Sequence, residues 1–193
     1  MEYFDICDAA GRPTGETVSR PEAHRLGIRH RTAHIWIVRR AGARTEILLQ
    51  KRSRNKDSYP GRWDTSSAGH IRAGDEPKES ALRELAEELG VLARADELEF
   101  AGNYRIRYAG EFSGKAFRDN EVVFVYVYRG TVEITGLTLQ TEEVESAAWF
   151  DLDDTIRAVG AGDERFCVPL TGLELLKAFL ETGQVQDRMD PEE

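Results

Sequence analysis

The stretch that most constrains this chain runs from Gly69 to Val91 and reads GHIRAGDEPKESALRELAEELGV. Leu82, Leu85, Ala86 and Leu89 recur there at helical spacing and form one apolar stripe. Glu84, Glu87 and Glu88 stand at i, i+3 and i+4. At about 100° per residue they crowd a second stripe on roughly the opposite side. Asp75 and Glu76 before Pro77 read as a helix start, with Asp75 placed to cap it, and Gly90 reads as the end. Carboxylates this close repel, each i,i+4 pair by about 0.2–0.5 kcal/mol. A cation relieves that repulsion, and an all-oxygen ligand set selects Mg²⁺, Mn²⁺ or Ca²⁺. On spacing alone, a solvated acidic face laced with salt bridges explains the pattern equally well.

The rest of the chain narrows the context. With 193 residues, it is long enough for one domain with a sizeable core, read over 1–183, followed by a polar, frayed tail over 184–193. A net charge of −9 argues against general nucleic-acid binding, although a local basic patch could still hold a small anion. No apolar run is long enough to span a membrane, and the start lacks a signal-peptide pattern. Cys7 and Cys167 are too isolated for a disulfide framework or a zinc site, so a reducing cytoplasm is the expected location. Oligomeric state is not legible.

Taken in order, Tyr3 to Cys7 and Pro13 to Val18 read as a hairpin, and Ser19-Arg20-Pro21-Glu22 as a capping box opening a helix that ends at Gly27. Ile35 to Val38 and Glu46 to Lys51 read as strands. A basic loop from Lys51 to Asp57 precedes the acidic helix, so Lys51, Arg52 and Lys56 could face a diphosphate across a metal. Leu98 to Tyr108 reads as a strand, Ala109 to Arg118 as a Gly-rich mobile loop, and Glu121 to Tyr128 as a central strand. Ala147 to Phe150 reads as a last strand, with helices over Leu152 to Val159 and Thr171 to Glu181. Strands flanking a long helix, with a second helix late, predict an α/β/α sandwich around a mixed sheet.

Gly69, five residues, Asp75, seven residues and then Arg83-Glu84-Leu85-Ala86-Glu87-Glu88-Leu89-Gly90-Val91 resembles the Nudix box, departing only in Asp75 for Glu. The resemblance implies a loop–helix–loop holding divalent metal, Mg²⁺ or Mn²⁺, against a small-molecule diphosphate. Glu87 and Glu88 would then be metal ligands, Glu84 a ligand or general base, and Arg83 the group orienting them. Gly69, with its neighbour Ala68, would offer a backbone carbonyl. The same resemblance implies the Nudix α/β/α fold.

The runs HRTAHIWIV at His30 to Val38, LLQKRS to PGRW over 48–63, and SSAGHI at Ser66 to Ile71 are similar to the Nudix branch that includes isopentenyl-diphosphate isomerase. By that resemblance His30, His70, Asp119 and Glu121 match a second metal position. Equally, the histidines could serve only as backbone hydrogen-bonding groups. His24 matches with a one-residue gap and reads as a surface residue; His34 matches no ligand. Lys51, Arg52 and Lys56 match residues that hold the outer phosphate. The position of the isomerase cysteine is Ala68 here, while the hydrolytic acids are retained. The expected activity is therefore pyrophosphohydrolysis of an X-diphosphate such as a nucleoside di- or triphosphate. An isomerase-like enzyme and a non-catalytic ligand-binding Nudix module are the alternatives.

Overall fold

The computed structural model describes residues 1–56, 58–112 and 114–189; Asp57 of the basic run and residues 190–193 of the tail lie outside these. One mixed sheet organises the chain. Its order is β10 (Gln186–Arg188), β7 (Leu98–Phe112), β8 (Lys115–Tyr128), β3 (His30–Ala41), β4 (Arg44–Arg52) and β5 (Trp63–Asp64). In addition β6 (Ser67–His70) pairs with β3, and β9 (Val144–Asp151) pairs with β4. The β3–β8 pair is parallel, with His30 opposite Glu121, and β3–β6 is antiparallel, with Thr32 opposite His70 and His34 opposite Ala68. These two registers bring three remote segments to one end of the sheet.

β3 shows why both faces of the sheet are covered. Its residues point alternately up and down. Trp36 and Val38 join Val123, Val125, Leu173 and Leu176 in a core under α3 (Leu152–Gly160) and α4 (Leu170–Thr182). Ala33, Ile35 and Ile37 join Ile71, Ala81, Leu85 and Leu89 under α2 (Pro77–Leu89). This α/β arrangement is the one expected from the sequence. Before it, β1 (Tyr3–Cys7), β2 (Pro13–Ser19) and α1 (Arg20–Leu26) form a separate unit with a small core of Phe4, Val18 and Ala23. Among the described residues no helix is long and apolar enough to cross a membrane.

Four local expectations are corrected. The Gly-rich stretch from Ala109 to Arg118 is not a loop: β7 and β8 continue through it, pairing Ala109 with Arg118 and Gly110 with Phe117. Its mostly exposed, polar residues show no apolar alternation, which hid it. Part of the tail is ordered, because Gln186 to Arg188 pair in parallel with Gly102 to Tyr104. Asp75 does not cap α2; Glu76 holds the cap position without a side-chain bond, while the Asp75 carbonyl accepts from Arg31. Ser19 likewise donates to the Glu22 carboxylate at 2.9 Å rather than capping backbone.

Candidate active site

A cleft of about 1880 Å³ opens where β3, β6 and β8 meet the second half of the acidic helix. One wall carries Glu84, Glu87 and Glu88, but the three are not equivalent. Glu87 is exposed, whereas Glu88 is only 6% exposed and reaches into the sheet. Its Oε2 accepts from Ser67 Oγ at 2.6 Å, the Ala68 N–H at 3.2 Å and Gln50 Nε2 at 3.3 Å. Burial still dominates and pushes the Glu88 carboxyl up to about 8. Burial also raises Glu84. Arg83 ties the wall together, donating to Glu84 at 2.6 Å, to Glu87 at 3.5 Å and to the His70 carbonyl at 3.3 Å. Gly69 lies against it, and a Cβ there would displace the Glu84 carboxylate.

The second wall is a cluster of buried His24, His30 and Glu121 with half-buried His70, whose ligand-type atoms lie within 4.8 Å of one another. His24 is 8% exposed, which overturns its reading as a surface residue. It lies in the last turn of α1, on the side buried against the cluster. The ring tautomers follow from the partners. His24 Nδ1 meets the Arg20 carbonyl at 2.9 Å, and His30 Nδ1 meets the Ile28 carbonyl at 2.8 Å. A carbonyl only accepts, so both Nδ1 atoms carry hydrogens, and it is Nε2 that each ring turns inward as the atom able to act as a ligand. His24 Nε2 lies 3.3 Å from His70 Nε2 and 3.2 Å from Asp119 Oδ1, while buried His30 Nε2 has no hydrogen-bond partner.

Ligand-type nitrogens and carboxylate oxygens gathered this closely suit a cation at their centre. Imidazole with carboxylate suits a divalent transition metal, and the backbone carbonyls supply the outer-shell bonds such ligands use. The residues therefore fit a metal. Phe4 stacks on His70 at 4.6 Å and on His30 at 4.9 Å between ring centroids, and Phe117 stacks on His24 at 4.8 Å. Burial alone would raise Glu121, but the facing histidines hold it down to about 2. His30 is raised by that same carboxylate against the effect of burial, and burial pushes His70 well down and Asp119 up.

The basic residues divide. Lys56 lines the cleft and is paired with Glu143. Arg52 lines it too, but donates to the Ser58 carbonyl and hydroxyl and to Asp64, each at 3.0 Å. Lys51 is not among the cleft-lining residues and pairs with Glu145 at 2.8 Å. The residues missed from the sequence include Phe4, Ser67 and Gln50, which no short-range pattern marks. His34, which matched no ligand in the sequence, also lines the cleft.

A model of the Nudix domain matches residues 28–167. The chain belongs to the Nudix family. It is 38% identical over 156 residues to Nudix hydrolase 3 of Arabidopsis thaliana, a match covering 79% of this chain but only 20% of that longer protein. It is 39% identical over 156 residues to a Nudix hydrolase of Clostridium acetobutylicum, covering 81% of this chain and 73% of the other. The isopentenyl-diphosphate Delta-isomerase of Cereibacter sphaeroides is 32% identical over 149 residues, covering 77% of this chain and 78% of the isomerase. This Nudix chain thus falls in the branch that includes isomerase-like members. A Deinococcus radiodurans crystal structure shares the fold, with a TM-score of 0.65 at 15% identity, covering 92% of this chain and 99% of that one.

Proposed function

We propose that this Nudix chain is a metal-dependent pyrophosphohydrolase that cleaves the diphosphate linkage of a small X-diphosphate, such as a nucleoside di- or triphosphate. The observation that carries the reading is the convergence of Glu84, Glu87 and Glu88 with the His24, His30, His70 and Glu121 cluster on one cleft. Glu84, Glu87 and Glu88 would hold Mg²⁺ or Mn²⁺, and the histidine cluster, with Asp119 beside it, a second ion that favours Mn²⁺. Bound divalent metal neutralises phosphoryl oxygens and lowers the pKa of water. Glu84 then serves as the base, since burial already raises its proton affinity. Arg83 orients Glu84 and Glu87, and Ser67, Gln50 and the Ala68 N–H fix Glu88. Lys56 is placed to exchange Glu143 for an outer phosphate oxygen. Arg52, with its donors engaged, shapes that loop.

The isomerase relative makes a second reading worth testing. That chemistry would need a thiol where Ala68 stands. Cys167 lines the same cleft, but its thiol donates to the Trp63 carbonyl at 3.4 Å, and burial raises it far above the ordinary range. The experiment is a panel of diphosphates with Mg²⁺ and with Mn²⁺, scored for phosphate or pyrophosphate release, with Glu84→Gln as the control. Release by the wild type alone supports hydrolysis. No release from any member, together with dimethylallyl product from isopentenyl diphosphate, would replace it with the isomerase reading.

A further inference from the structure

His34 is an imidazole the proposed hydrolysis does not use. It sits on β3 two residues beyond Thr32, whose hydroxyl donates to Glu121 at 3.3 Å. Residues i and i+2 share a face about 7 Å apart, so His34 lies one step inward from the metal cluster. Across the ladder it faces Ala68, whose small side chain leaves the way to it open. His34 is 7% exposed, yet it lines the cleft together with Ile106, Cys167 and Pro169.

Its proton can be located. His34 Nδ1 lies 3.0 Å from the Tyr104 hydroxyl, and Tyr104 is 1% exposed. Gly172 closes the far side: a Cβ on it would stand 2.9 Å from the hydroxyl oxygen. No other acceptor among the described residues reaches the phenol, so Tyr104 donates to Nδ1; the reverse arrangement would strand a buried O–H. Burial, the largest influence, holds the imidazole neutral despite the nearby Glu121 and Asp64 carboxylates. The ring hydrogen therefore sits on Nε2, which meets no hydrogen-bond partner among the described residues, on a side chain that lines the cleft. It opens to the cleft as a fixed donor.

We infer that His34 is a specificity-determining residue. Its Nε2–H binds an acceptor atom on the group X, so the protein selects diphosphates whose X is polar near the linkage and rejects purely hydrocarbon chains. This rests on the reading of the cleft as a diphosphate site. A diphosphate held between the glutamate wall and the histidine cluster runs its X group past Ala68 toward His34. A hydrocarbon there would bury the N–H without an acceptor, and sites built around a polar partner discriminate strongly against analogues that lack it.

The test uses a matched pair, 3-methylbutyl diphosphate and 3-hydroxy-3-methylbutyl diphosphate, titrated calorimetrically in Mg²⁺. Wild type should bind the hydroxylated member about tenfold or more tightly. His34→Phe should abolish the preference, and His34→Gln, which restores a donor, should recover part of it. In the unaltered protein, histidine-ring ¹⁵N spectra should show the Nε2–H tautomer, with that resonance shifted by the hydroxylated ligand only. An equal preference in wild type and His34→Phe, or an Nδ1–H tautomer, overturns the inference. Binding of neither member overturns it together with the diphosphate reading. Discriminating binding without hydrolysis supports His34 selectivity and sinks only the hydrolytic step.

Discussion

Glu84, Glu87 and Glu88 come from little more than one turn of α2, whereas His24, His30, His70 and Glu121 come from α1, β3, β6 and β8. The first group is assembled by local periodicity, and any chain that makes the helix makes the stripe. The second exists only when the β3–β8 and β3–β6 registers are correct and the N-terminal unit is docked. Their electrostatics differ as well. Burial drives Glu88 up to about 8 against the hydrogen bonds from Ser67 and the Ala68 N–H, while the opposing histidines hold the equally buried Glu121 down to about 2. The glutamate wall thus offers carboxylates alone, while the second cluster offers three imidazoles with a carboxylate. A hard ion should dominate at the former and a transition metal at the latter.

Metal removal should have the largest effect, because both regions lose their cation. Activity on the best diphosphate should fall by on the order of 10³-fold in EDTA and return with Mg²⁺ or Mn²⁺. Full turnover in chelator would end the comparison, since neither wall would then need an ion. Next in size are Glu84→Gln and Glu88→Gln. Each should lower kcat by roughly 10²–10³-fold while circular dichroism stays unchanged. Normal turnover in both would leave the stripe a solvated acidic face.

The histidine cluster should respond differently. His30→Ala or His70→Ala should weaken Mn²⁺ binding about 10–100-fold by calorimetry, with a smaller loss at saturating Mg²⁺. The two walls can also be separated from a distance. Asp5 holds Arg31 at 2.7 Å and the Gly74 N–H at 3.0 Å, both on the main body. Asp5→Ala strands buried Arg31, so a loss of about 3 kcal/mol is expected in denaturant unfolding. It should weaken Mn²⁺ binding more than Mg²⁺-supported kcat, because β1 and α1 carry Phe4 and His24 but no part of the glutamate wall. Equal losses would mean the two regions act as one unit. Lys51→Ala should do least: its pair with Glu145 is partly exposed and outside the cleft, so KM should hold and stability should change by less than about 1 kcal/mol.

That contrast also explains what the sequence could reveal. The acidic helix, its Gly90 stop and the central strand were legible because each follows from spacing within a dozen residues. His24 was misread because the imidazole pattern of a short helix carries no information about what docks against it. Phe4 seals the cluster from a strand more than 60 residues from His70, a contact set only by tertiary packing. The basic loop was half legible. Its charges were evident, but Glu143, Glu145 and Asp64, which already engage Lys56, Lys51 and Arg52, come from elsewhere in the chain. The β7–β8 ribbon was hidden because its mostly exposed, polar residues leave no apolar alternation.

The most direct test of two unlike metal regions on one cleft is an anomalous-scattering map from crystals soaked in Mn²⁺. The account predicts a peak within about 2.5 Å of the His24, His30 and His70 Nε2 atoms and a Glu121 oxygen, separate from any peak at Glu84, Glu87 and Glu88. A map with density only at the glutamates, and none among the histidines, would contradict it.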